Sequence, residues 1–194
     1  DQIWGSVLLE SDETDFVSGS DFLIGGSGSD TITGWQRNDI LIGDHLSDAL
    51  ASTPRSALLP LLRRLGDKYQ DDGGSGRADM LIGWSGHDIL AGGTGNDSIY
   101  GDHIIEISEE SENGFDKIYG GNGHDIIFSG FGGDLVFGGH GNDTIYDSYR
   151  SSTKLDTPPH DNDTLMGGAG GDRFILSYGN DLVEGGGGID SVIW

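Results

Sequence analysis

Fifteen aspartates recur in this chain at the sixth place of a nine-residue unit: Asp21, Asp30, Asp39, Asp48, Asp79, Asp88, Asp97, Asp116, Asp125, Asp134, Asp143, Asp163, Asp172, Asp181 and Asp190. Three consecutive copies over residues 120–146 read GGNGHDIIF, SGFGGDLVF and GGHGNDTIY, so the unit is G-G-x-G-x-D-x-U-x with U apolar. A carboxylate at a fixed place in a turn whose glycines leave the carbonyls uncovered is a hard, all-oxygen ligand set, and calcium suits it. The fullest copies add candidate carbonyl ligands at Gly26, Gly28, Gly93, Gly95, Gly121, Gly123, Gly139, Gly141, Gly168, Gly170, Gly186 and Gly188. No G-x-S-x-G, H-E-x-x-H or P-loop occurs, and the carboxylates are too numerous for any pair to be singled out for acid–base work. The chain is therefore read as non-catalytic.

The elements that must hold these groups follow from the same unit. Closely spaced glycines let its first six residues turn through positive φ. Branched and aromatic residues such as Ile126, Ile127 and Phe128 make its last three a short strand whose middle side chain points inward. Two units then complete one turn of a flattened parallel coil. Blocks at 16–51, 74–100, 111–146 and 158–193 hold four, three, four and four copies, and the eighth place is apolar in all fifteen. Fourth-place glycine fails only at Arg37, Leu46, Arg77 and Asp161.

This unit resembles the RTX (repeats-in-toxin, haemolysin-type) calcium-binding nonapeptide. The resemblance implies an all-β fold, a right-handed parallel β-roll, with each ion held between one loop and the loop two repeats further on. It also implies a bacterial-type secreted or cell-surface protein, exported unfolded through a type I secretion channel where calcium is low and folded by calcium outside. Counting ions between repeats two apart gives seven if the blocks stand separately and thirteen if the roll runs through the interruptions.

Composition agrees with a repeat architecture: 36 glycines and a net charge of −23 do not suit an ordinary packed core. Such a charge repels nucleic acid and anionic membrane surfaces and attracts cations. Cysteine is absent, and so are a membrane-length apolar run and a signal peptide. The chain is read as a piece of a larger exported protein, with neighbouring domains as partners. Residues 1–15 form a cap or the end of a preceding module, and 16–193 the roll, with insertions at about 52–73, 101–110 and 147–157. The first insertion carries Leu58, Leu61, Leu62, Leu65 and Tyr69 at near-helical spacing, which predicts a helix folded on the flank of the roll or docked to a partner.

Two other functional classes stay open. One is an adhesion module whose insertions bind a protein or glycan on a calcium-stiffened scaffold; the other is the non-catalytic tail of a secreted hydrolase or toxin. Trp35 and Trp84, both at second places, predict packing under an insertion or an aromatic ligand patch. His124 and His140 are solvated loop residues or a transition-metal pair.

Overall fold

Strand formers crowd the last three places of each unit, and glycines crowd the first four, so every copy must alternate a bend with a short extended run. A computed structural model of the 194-residue chain describes residues 2–4, 22–25, 31–36, 40–43, 78–102, 114–147, 161–177 and 179–194. One sheet holds eight strands in the order β1 (Gln2–Trp4), β3 (Thr31–Gln36), β5 (Met80–Ser85), β7 (Ser98–Tyr100), β9 (Ile126–Phe128), β11 (Thr144–Tyr146), β13 (Arg173–Ile175) and β15 (Ser191–Ile193). The other holds seven, in the order β2 (Phe22–Ile24), β4 (Ile40–Ile42), β6 (Ile89–Thr94), β8 (Lys117–Asn122), β10 (Leu135–His140), β12 (Thr164–Ala169) and β14 (Leu182–Gly187). Consecutive strands alternate between the sheets and neighbours within a sheet are parallel, so the architecture is the all-β parallel β-roll. Among the described residues there is no helix. The helix expected within 52–73 lies outside them.

The register explains the invariant eighth place. Val136 is the partner of Ile118 on one side and Leu165 on the other; in the facing sheet Ile145 stands between Ile127 and Phe174. These side chains form one continuous core, buried from Leu23 to Phe174. It thins at the carboxy-terminal end, where Val192 is 46 % exposed on β15, the outermost strand of its sheet. Ninth-place rings stack along the outer faces, Tyr100 on Phe128 at 5.0 Å, Phe128 on Tyr146 at 4.4 Å and Tyr119 on Phe137 at 5.1 Å.

Both sheets run through all three interruptions. β3 pairs with β5 and β4 with β6 across residues 44–77, β7 with β9 across 103–113, and β11 with β13 across 148–160. Residues 44–51, the rest of the fourth copy counted in the first block, lie outside the described residues, while β3 pairs directly with β5 and β4 with β6. The first residue of that copy, Gly43, is in the stack, its N–H donating to the Ala91 carbonyl at 2.9 Å. At the opposite end of that sheet order, Gln2–Trp4 supplies the outermost strand, parallel to β3.

Candidate calcium turns

Because strands alternate between sheets, the turns fall into two rows, one along each edge of the roll. The first row leads into the eight-stranded sheet and carries Asp79, Asp97, Asp125, Asp143, Asp172 and Asp190; the second leads into the seven-stranded sheet and carries Asp88, Asp116, Asp134, Asp163 and Asp181. Asp21, Asp30, Asp39, Asp48, Gly26 and Gly28 lie outside the described residues.

Each described sixth-place aspartate is tied to the one two repeats away. In the first row the N–H of Asp125 donates to Oδ1 of Asp143 at 2.9 Å, and the same bond links Asp79 to Asp97, Asp97 to Asp125, Asp143 to Asp172 and Asp172 to Asp190. In the second row it links Asp88 to Asp116, Asp116 to Asp134, Asp134 to Asp163 and Asp163 to Asp181, at 2.8–3.0 Å. One carboxylate oxygen is thereby spent on holding the turns in register. The other is turned into the loop: Oδ2 of Asp116, Asp125, Asp143, Asp172 and Asp181 is buried and accepts no hydrogen bond.

Glycine at the first place bounds the space those oxygens face. A Cβ on Gly138 would stand 2.5 Å from Asp143 Oδ2 and 2.6 Å from the carbonyl oxygen of Gly167, the first-place glycine two repeats on. Second and fourth places take positive φ, as at Gly139 (116°) and Gly141 (128°), which lets each carbonyl stack on its neighbour two repeats away. A buried anionic oxygen without a donor is costly unless a cation answers it. Carboxylate and carbonyl oxygens at this density fit calcium's preference for several hard ligands.

Sequence reasoning missed a second ladder, at the fifth place. Asn96 Oδ1 accepts from the His124 N–H at 2.9 Å, His124 Nδ1 from Asn142 N–H at 2.7 Å, and Asn142 Oδ1 from Gly171 N–H at 2.7 Å. His87 and Asn162 do the same for Phe115 and Asn180 in the second row. Asn and His both offer an acceptor one bond beyond Cγ, and their recurrence at this place was the available signal. It also gives the Nδ1 of His124 a structural task. Trp35 and Trp84 are register partners on β3 and β5, and Trp84 is the one non-glycine with positive φ (84°) among the described residues.

The rows differ in regularity. From Gly92 onward every first-row turn keeps glycine at places one, two and four. The second row carries Asp102, Ser129, Asp147, Asp161 and Leu176 among those places, and two of the three interruptions leave from it. The interruptions open inside a turn: Gly43 meets Oδ2 of Asp79, and Gly101 that of Asp116, as Gly83 meets Asp88 within an unbroken copy.

The family model described as RTX calcium-binding nonapeptide repeat (4 copies) matches residues 17–44, 73–102, 111–136, 119–146 and 161–192, about two-thirds of the chain. The chain belongs to the RTX calcium-binding nonapeptide-repeat family. It is a calcium-binding repeat module. No curated protein and no solved structure matches it. Among the described residues, no helix of the RTX roll is long and apolar enough to cross a membrane.

Electrostatics show what the RTX turns ask of their cation. Burial, reinforced by the charges of Asp134 and Asp88, pushes the Asp116 carboxyl up to about 10; burial likewise pushes Asp125 and Asp134 to about 8 and Asp163 to about 7. These values lie above the roughly 3.9 of an unfolded aspartate, so a chelated folded chain holds more protons than the unfolded one between about pH 4 and the folded values of about 7 to 10. Its stability is therefore greatest toward acid and falls as pH rises through about 7 to 10. In chelator, the far-UV β signal is expected to grow on titrating from pH 9 to pH 5. A signal that weakens over that range contradicts the burial of these carboxylates.

Proposed function

We propose that this chain is a calcium-dependent folding module of a larger exported protein, with no catalytic step of its own. The observation that carries the reading is the pair of aspartate ladders, each joining turns two repeats apart through Oδ1 while Oδ2 faces glycine carbonyls. Nine such links join the described turns, and we assign one calcium ion to each. Nine divalent ions bring eighteen positive charges against a formal −23, so binding removes most of the repulsion that folding would otherwise concentrate. Membership of the RTX family supports folding after secretion, at an extracellular or cell-surface location. Low calcium inside the cell would leave the segment unfolded for export, and higher calcium outside would fold it, a coupling of ion binding to folding.

The test is a pair of substitutions in the first row. Asp125→Ala with Asp143→Ala removes the side-chain oxygens from two linked turns while leaving the core untouched. The calcium concentration at half-folding, followed by circular dichroism, is expected to rise by about tenfold or more, in line with the dependence of calcium affinity on ligand charge count. An unchanged midpoint would sink the assignment of these turns.

A further inference from the structure

We propose that Asp147, which stands outside the sixth places, joins Asp163 and Asp181 in a three-carboxylate calcium site that fastens the two ends of the 148–160 connection. This rests on the reading that the turns take up calcium, and adds to the ion of the Asp163–Asp181 link a third carboxylate that the nonapeptide pattern does not supply.

One carboxylate oxygen from each of the three residues lies within 4.8 Å of the other two, the one such cluster of three among the described residues. Asp147 and Asp163 are 3 % and 4 % exposed. Asp163 Oδ1 accepts the Asp134 N–H and Asp181 Oδ1 the Asp163 N–H, so the cluster is built on the second-row ladder. Asp181 Oδ2 is buried and accepts no hydrogen bond, an anionic oxygen still in need of a positive partner. Asp163 is pressed by the like charges of Asp181, Asp147 and Asp161.

Asp147 comes to this position through the fold. It follows β11 as Gly101 follows β7, and its N–H donates to the Ile175 carbonyl as that of Gly101 donates to Phe128. It therefore occupies the first place of a turn whose sixth place is Asp163, and a carboxylate stands where the regular row keeps glycine. Residues 161–163 return the chain to the same turn, so an ion held by Asp147 and Asp163 joins departure to return. Three carboxylates and nearby carbonyls make a hard oxygen site, and the higher charge count favours tighter calcium binding than a two-carboxylate turn.

Asp147 also serves the turn itself: its Oδ2 accepts the Ser177 N–H, and Ser129 Oγ donates to its carbonyl. Asp147→Asn keeps an acceptor for Ser177 and removes the charge, which separates the two roles. Bound calcium is counted by equilibrium dialysis on the full chain for the wild type, Asp147→Asn and Asp143→Asn. Asp147→Asn is expected to weaken one ion by about tenfold or more and leave the others at wild-type affinity. If Asp147→Asn binds as the wild type while Asp143→Asn loses calcium, the three-carboxylate site is overturned and the turn assignment stands. If neither variant changes binding, both are overturned. Should Asp147→Asn not fold at saturating calcium, Asp147→Gly restores the regular first place; one ion bound more weakly than in the wild type supports the third carboxylate, and wild-type affinity for every ion refutes it.

Discussion

Chelation is expected to unfold this chain outright, with loss of the far-UV β signal and a radius of gyration moving toward the roughly 47 Å of an unfolded chain of 194 residues. The size of the effect follows from mass action. Sites of the extracellular class have dissociation constants of about 0.1–1 mM. At about 10 mM calcium each ion then contributes about 1.4–2.7 kcal/mol. Nine of them amount to about 13–25 kcal/mol, as large as or larger than the roughly 5–15 kcal/mol net stability of ordinary domains. A roll with one inward apolar side chain per nine residues has nothing comparable to put in their place. Magnesium should not substitute, because it demands a small octahedral shell and releases water reluctantly. A chelated chain that stays compact and β-rich would show that calcium is incidental to the fold.

The second large effect is expected from a single methyl group. Gly141→Ala places a Cβ on the carbonyl oxygen of Gly123 and does so at a φ of 128°, which alanine rarely adopts. Neither neighbour can yield, since the obstructing atom is backbone, with the Gly123 N–H bonded to the His140 carbonyl and the Gly141 N–H to that of Ala169. The variant is expected to lose more than about 3 kcal/mol, read as a shifted urea midpoint at saturating calcium. Gly187→Ala is the matched control: its φ lies outside the left-handed region, and an added Cβ meets nothing nearer than 4.0 Å. It should change stability by less than about 0.5 kcal/mol. Equal losses at both positions would mean that glycine serves here only through general flexibility, and the stacked-carbonyl account would fail.

The two glycines divide what the nine-residue pattern determined from what it left open. Spacing alone determined the alternation of turn and strand, the inward eighth place and the sixth-place carboxylates, because a strand has period two and positive φ is cheap only for glycine. Those are local rules, and Val136, Ile145 and Asp143 obey them. Pairing between repeats is a long-range matter. Only the tertiary structure decided that β3 bypasses residues 44–77 to reach β5, and that Gly43 and Gly101 stay in the turns of Asp79 and Asp116. It also sorted the aspartates into a regular and an irregular row, which no single repeat can reveal, since membership depends on how many strands precede it. The fifth-place ladder of Asn96, His124 and Asn142 was present in the letters but had no meaning until turns two repeats apart were stacked. Asp147 is the extreme case: it lies outside every nonapeptide legible in the letters, and only the return of the chain at Asp163 and the stacking of Asp181 give its carboxylate partners.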